Sequence, residues 1–166
     1  MAPDVAVLSR VAAELRTRAG ETQPAFSTRK IIDACFPKLV VTGRELPDGV
    51  HEAVARTPEG DILIYGRNLP TAAKRFAIAH GLAHLLFDDG LSACRPGFAG
   101  DPDVEARADR FADELLVPLV GLREYVGRFP SDDPIEHEFY LDQVDEIASH
   151  FHVPSSVIDR RIRELM

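Results

Sequence analysis

The chain has 166 residues, of which 45% are hydrophobic and 28% are charged, a balance typical of soluble globular proteins. It contains no apolar run long enough to cross a membrane, and its first residues lack the basic segment and apolar core of a secretion signal. The formal net charge of −8 disfavours general nucleic-acid binding, which rests on Lys and Arg. Two cysteines are too few for a disulfide framework, so we expect a cytoplasmic protein.

The first part of the chain predicts two helices followed by a small sheet. Apolar residues at helical spacing predict a helix over residues 4–19, and a second helix over Thr28–Phe36 is ended by Pro37. Three short apolar or alternating segments, separated by turn residues, predict the strands Leu39–Thr42, Gly49–Arg56 and Asp61–Tyr65. Because the strands precede the next helices as a group and do not alternate with them, the order indicates an α+β fold.

The segment Arg75–Phe87 has the most informative pattern. Its apolar residues predict a core-facing helix, and His80 and His84 lie about one turn apart on it. Both imidazoles can therefore reach one tetrahedral zinc ion from the same side of the helix. In the zincin signature His-Glu-x-x-His, the Glu accepts a proton from the zinc-bound water, and Gly81 stands at that position here. The metal-binding half of a peptidase motif is present and its general base is missing.

Gly81 requires an explanation, because a glycine inside a helix costs about 1 kcal/mol relative to alanine. It marks either a close approach of the helix backbone to a neighbouring element or the loss of a functional side chain. We favour the lost side chain in a natural sequence, and we expect glutamate to fit this position at least as well as glycine. Substitute proton acceptors are available in Asp88, Asp89 and Asp109, which the sequence does not place relative to the histidines.

A second helix, predicted over residues 105–118, supplies a third candidate ligand. Glu105 lies in its first turn, where a carboxylate by itself simply favours the helix dipole. Together with the two histidines it completes a two-His, one-carboxylate set with an open fourth position, as in catalytic zinc sites. A loop over residues 88–102 connects the two helices, and its Cys94 is either a plain thiol or a redox switch beside the metal.

The two helices together resemble the ImmA/IrrE metallopeptidase family. The first reads Arg-Phe-x-x-Ala-His-x-x-x-His from Arg75, where the family has R-F-T-x-A-H-E-L-G-H. The second reads Glu-x-x-Ala-Asp-Arg-Phe-Ala-Asp-Glu-Leu-Leu-Val-Pro from Glu105, where the family has E-x-x-A-N-x-F-A-x-x-L-L-M-P. The resemblance implies a zincin-like metallopeptidase core with N-terminal helices, a small three-stranded sheet, two ligand-bearing helices and a C-terminal helical pair.

Carried over residue by residue, the resemblance places His80, His84 and Glu105 on the zinc ligands of the family. It also implies a protein partner, a helix-turn-helix repressor of the XRE type or an antitoxin. Two departures stand out: Gly81 replaces the catalytic Glu, and Asp109 replaces the usual Asn. The first predicts impaired proteolysis, and the second is expected to alter the surroundings of the metal.

The C-terminal region predicts a helical pair packed on the core. The segment Phe129–Pro134 suggests a boundary between a metallopeptidase core, residues 1–130, and a pair of helices within residues 131–166. These helices, predicted at 136–151 and 154–165, have helix-turn-helix spacing. Residues 131–166 carry nine acids against three arginines, a net charge of −6 that disfavours DNA recognition. The histidines near the turn, His150 and His152, are expected to be partly exposed rather than metal ligands.

The sequence leaves functions of three classes open. The first is a zinc metallopeptidase-like protein acting on its partner with impaired catalysis, because loss of a general base costs about 10²–10⁴-fold in rate. The alternative is a non-catalytic module that captures a peptide of its partner, for example along a sheet edge, without cutting it. A DNA-binding regulator acting through the C-terminal helices is the least favoured because of their charge.

Overall fold

The computed structural model describes residues 4–23, 25–88, 95–96, 101–127 and 143–165. Within them the helices are α1 (Val5–Arg18), α2 (Thr28–Cys35), α3 (Thr71–Phe87), α4 (Pro102–Leu116), α5 (Leu119–Val126), α6 (Val144–Phe151) and α7 (Ser155–Leu165). The strands are β1 (Val40–Arg44), β2 (Glu52–Thr57), β3 (Gly60–Gly66) and β4 (Arg95–Pro96). No helix of these described ranges combines the length and apolar character needed to cross a bilayer.

The predicted α+β arrangement is confirmed, with a sheet in the order β1-β3-β2-β4. Strand β3 pairs in parallel with β1 and antiparallel with β2, while β4 adds a short antiparallel pairing to the other edge of β2. The three predicted strands are present with ends shifted by up to three residues. Strand β4 and helix α5 are additional elements that the sequence pattern did not predict.

Helix α3 lies between the sheet and helix α4, and this position sets the geometry of the site. Val54 on β2 and Leu63 on β3 are directly paired across the sheet and are both buried. Alternate residues of a strand point to the same face, so Glu52 and Val54 both belong to the face covered by α3. On the other side of α3, the buried ring of Phe111 on α4 packs edge-on against Phe87.

The last helix, α7, is held to α4 by buried ion pairs. Arg160 donates hydrogen bonds of 2.8 and 2.7 Å to the carboxylate of Asp113. The fully buried Arg161 donates to the carbonyl oxygen of Val117 at 2.9 Å and to Glu114 at 2.8 Å. Two of the three arginines of this helix, Arg160 and Arg161, therefore face the protein, whereas Arg163 is exposed.

Several sequence predictions for the C-terminal region fall outside the described residues. The boundary between residues 130 and 131 and the predicted helix start at 136 are among them, and within the described part α6 begins at Val144. His152 is exposed and ends α6 in the left-handed conformation, with a φ of 54°. His150 is half-buried, and its ring stacks on Tyr125 at 3.8 Å between centroids.

Candidate metal centre

The two histidines of α3 lie side by side next to the sheet, and His80 lines a small cavity there. His80 and His84 are 6% and 7% exposed, and their rings meet edge to face with centroids 4.8 Å apart. The cavity has a volume of about 170 Å³, and its lining includes His80, Glu52 of β2, and Glu105 and Asp109 of α4. Burial on a rigid helix fixes the positions of both imidazoles before any ligand arrives.

A carboxylate holds each imidazole by its Nδ1 atom. Nδ1 of His80 lies 2.8 Å from Oε1 of Glu52, and Nδ1 of His84 lies 2.6 Å from Oδ2 of Asp88. Asp88 in turn accepts a hydrogen bond from Arg107 of α4. Because a carboxylate only accepts, each neutral ring carries its hydrogen on Nδ1 and leaves the Nε2 lone pair free. This arrangement is the one that orients metal-bound histidines in proteins.

Helix α4 brings Glu105 to the free Nε2 atoms. The helix starts at Pro102, and the Asp101 side chain caps it by accepting a hydrogen bond from the backbone N–H of Asp103 at 3.0 Å. Oε2 of Glu105 then lies 3.5 Å from Nε2 of His80 and 3.8 Å from Nε2 of His84.

These separations fit a zinc-sized ion. With zinc–ligand bonds of about 2.0–2.1 Å, the ligand atoms of a tetrahedral site are about 3.3 Å apart. The two distances to Glu105 exceed that edge by a few tenths of an ångström, which a small side-chain adjustment covers. The structure therefore brings the predicted residues His80, His84 and Glu105 together, with the Glu105 carboxylate close to the Nε2 atom of each histidine.

Glu52 offers a second three-residue set, since its carboxylate and the two histidines have atoms within 4.8 Å of one another. The 2.8 Å separation from His80 is shorter than a tetrahedral edge and matches a hydrogen bond. Ligation through Nδ1 would also discard that hydrogen bond. We therefore assign Glu52 as the acceptor that orients His80 and keep Glu105 as the candidate ligand.

Sequence reasoning missed Glu52 as a site residue. It lies 28 residues before His80 and is 5% exposed. The one available signal was an acidic residue two positions before Val54, on the face of a strand that the alternation assigns to the core. Such an acid requires a buried partner.

Carboxylates determine the electrostatics of His80. Burial alone would lower the pKa of its imidazole, but the hydrogen bond and charge of Glu52 oppose that effect. With the further negative charges of Asp109 and Glu105, they raise the pKa above the ordinary value of 6.5. The site therefore attracts cations, a proton or a metal ion, to the imidazole of His80.

At Gly81 the structure shows that helix α3 packs closely against the sheet. A Cβ atom on this residue would lie 2.8 Å from Cδ1 of Leu63 and 3.3 Å from Cγ1 of Val54. Helix α3 thus approaches the sheet closely at this point, and glycine allows the approach. A glutamate here would require the side chain of Leu63 to shift, a cost that the expectation of a fit at least as good as that of glycine did not include.

The substitute proton acceptors have different positions. Asp88 is occupied by His84 and Arg107, whereas Asp109 lies at the mouth of the site with its Oδ1 3.4 Å from Nε2 of His80. Asp89 and Cys94 lie outside the described residues.

A larger groove of about 700 Å³ lies elsewhere, along α1 and the start of α5. Its described lining contains no histidine or cysteine, and its charged residues include Arg110 and Glu114, which face one another across 3.5 Å. Size alone would favour this groove, but the chemistry of the smaller cavity makes that one the candidate site.

Comparisons with known proteins agree with this geometry. No curated protein sequence matches the chain significantly. Among solved structures, a Mycobacterium tuberculosis transcriptional regulator is similar, with a TM-score of 0.59 and 17% identity over 92% of this chain. The chain spans 44% of that regulator, and a likeness at this identity concerns the fold alone.

The model of the M78 peptidase family, described as the IrrE N-terminal-like domain, matches residues 39–163. Since this match covers most of the chain, including both helices of the candidate metal centre, the protein belongs to the IrrE N-terminal-like family of M78 peptidases.

Proposed function

We propose that this protein is a zinc-binding member of its peptidase family that engages a partner protein and has largely lost the ability to cut it. Zinc is held by His80, His84 and Glu105. The partner is a helix-turn-helix repressor or an antitoxin, as the family resemblance implies. A capture function without any cleavage is the alternative form of the same proposal.

One observation carries the proposal: the free Nε2 atoms of two fixed imidazoles converge on the Glu105 carboxylate, while residue 81 offers no side chain. Zinc held by these three residues, with its fourth position open, would supply Lewis-acid activation of a peptide carbonyl and of water. The chain supplies the orientation of the histidines through Glu52 and Asp88. It supplies no carboxylate from the position where the zincin signature has its general base.

The packing of Gly81 strengthens the case for impaired catalysis. Leu63 and Val54 fill the space through which a longer side chain on residue 81 would leave the helix. The sheet is therefore packed for glycine. Restoring a general base requires a change in the sheet as well as in the helix.

Direct DNA binding is not part of the proposal. The helix that would read DNA carries Arg160, Arg161 and Arg163, and each is paired with an acidic side chain of the same protein. Pairing removes the positive surface that phosphate contacts require.

The first test is metal content. Freshly purified protein should contain close to one equivalent of zinc, and His84→Ala should lose it. Zinc retained stoichiometrically by a His80→Ala/His84→Ala variant would contradict the ligand assignment.

The second test measures binding and cleavage of a helix-turn-helix repressor or antitoxin encoded beside this gene. The native chain is compared with two variants, all loaded with zinc. The first variant is Leu63→Ala/Asp109→Asn, in which position 109 carries the usual residue of the family. The second variant has the same two changes and Gly81→Glu in addition. The Leu63 change makes room for the new Cβ atom, and only residue 81 differs between the two variants. We expect all three to bind the partner and the Gly81→Glu form to cut it about 10²–10⁴-fold faster than its control. Cleavage by the native chain at the restored rate would refute impaired catalysis, and absence of binding to every such partner would refute the partner assignment.

A further inference from the structure

The side chain of Asp109 lies next to the candidate metal position. It follows Glu105 by four residues on α4, so both side chains emerge from one face of the helix. Oδ1 of Asp109 lies 3.4 Å from Nε2 of His80, and Oε2 of Glu105 lies 3.5 Å from the same nitrogen. The two carboxylates thus approach His80 equally closely.

We propose that Asp109 is a fourth protein ligand, so that the metal centre of this chain is closed by His80, His84, Glu105 and Asp109. The proposal rests on the metal site of the proposed function. The separation between Asp109 and His80 matches the edge of about 3.3 Å expected in a tetrahedral zinc site. Among the described residues, His80 is the ion-pair partner of Asp109, whose carboxylate also lies in the electrostatic field of Arg160.

Charge favours the same arrangement. Two carboxylates that close to one imidazole repel one another unless a cation lies between them. A divalent ion with two neutral imidazoles and two carboxylates forms a centre without net charge.

A fourth protein ligand changes the role of the centre. Catalytic zinc sites keep one position open for water or substrate, whereas sites with four protein ligands are structural. Asp109 occupies the open position, and Gly81 supplies no general base. Both departures from the family pattern therefore lower the catalytic activity of the centre. The metal then stabilises the α3–α4 contact and shapes the cavity wall.

Cobalt(II) substitution tests the proposal without an activity assay. The visible spectrum of the cobalt-loaded native chain is recorded during titration with azide, which binds an open coordination position. Asp109→Asn has nearly the same shape, and Asp103→Asn changes an exposed acid in the first turn of the same helix as the matched control.

We expect the spectra of the native chain and Asp103→Asn to be unchanged by azide, and the spectrum of Asp109→Asn to shift. Zinc affinity measured by competition with a chelator should fall about tenfold or more in Asp109→Asn alone, the scale seen when even supporting residues of a metal site are lost. Equal azide responses and equal affinities in native chain and Asp109→Asn would overturn the fourth ligand while leaving the three-ligand site intact. A native chain that binds neither cobalt nor zinc would instead overturn the metal site of the proposed function and the fourth ligand with it.

Discussion

Cδ1 of Leu63 lies 2.8 Å from the position that a Cβ atom on Gly81 would occupy. Leu63 is fully buried in the middle of strand β3, and Val54 beside it is 2% exposed. The glycine at the position of the family's catalytic residue is therefore also a packing residue between α3 and the sheet.

This contact predicts the effect of Gly81→Ala. Alanine gains up to about 1 kcal/mol in helix propensity, but overpacking a filled core costs about 1–3 kcal/mol. We expect a net loss of about 1 kcal/mol in the free energy of unfolding, measured with urea. Gly121→Ala on α5 is the matched control, because its Cβ atom meets nothing within 4 Å and should raise stability. If both substitutions stabilise the protein equally, the close approach of α3 to the sheet is wrong.

Glu52 is predicted to act on metal binding through His80. Glu52→Ala removes the acceptor of the Nδ1 hydrogen bond and should weaken zinc binding about 10–100-fold. Glu52→Gln retains an acceptor oxygen, so its zinc affinity should fall less than that of Glu52→Ala. Competition with a chelator measures both, and Glu59→Gln in the exposed turn between β2 and β3 is the control. Unchanged affinity in Glu52→Ala would show that His80 needs no orienting partner.

Arg161 is predicted to be essential for stability. Its guanidinium is fully buried between Glu114 and Glu164, so Arg161→Met leaves Arg110 as the remaining cation in ion-pair contact with these two carboxylates in the described part of the chain. Breaking such a pair costs about 3–5 kcal/mol. Arg163→Met, on the same helix with a side chain 65% exposed, should cost less than about 1 kcal/mol. Urea unfolding measures the free energy of unfolding of both variants under the same conditions. Similar unfolding midpoints for the two variants would contradict the buried network.

The raised pKa of His80 predicts a pH dependence in the metal-free protein. A group whose pKa is higher when folded stabilises the fold fully below its unfolded value, near 6.5, and loses that contribution as the pH rises through the folded pKa. Stability of the metal-free chain should therefore contain a component that falls above pH 6.5. His80→Gln should lack this component, and so should the zinc-loaded chain, whose imidazole is held neutral. An identical profile for native chain and His80→Gln, both free of metal, would refute the assignment.

The paired arginines of α7 predict no specific DNA binding. Fluorescence anisotropy with duplex DNA from the neighbouring promoter, at rising salt, should show no sequence preference. Arg163→Ala removes the exposed arginine of the helix without disturbing buried groups. The prediction is contradicted if the native chain binds DNA in a sequence-specific, salt-sensitive way and Arg163→Ala abolishes this binding. That result would support the hypothesis of a DNA-binding regulator.

The sequence by itself determined the parts of the site that depend on local spacing. His80 and His84 share a face because they are separated by one helical turn, and Glu105 marks the first turn of the next helix. The order of helices and strands was predicted from the periodicity of apolar residues. The resemblance to the family was recognised from the residue patterns of two helices. Helix α5 was missed because it contains Gly121, a poor helix former, and because its apolar Val120 lies off the buried face at 68% exposure.

Only the tertiary structure decided which residues meet these ligands. Glu52 reaches His80 from a strand 28 residues away, and Asp88 is held by Arg107 from the next helix. Gly81 proved to face Leu63, a neighbour fixed by sheet register and by the depth at which α3 packs on the sheet. Such contacts join segments far apart in the chain. Periodicity assigns each residue to a face of its own element, whereas the residue it touches on another element depends on how the two elements pack.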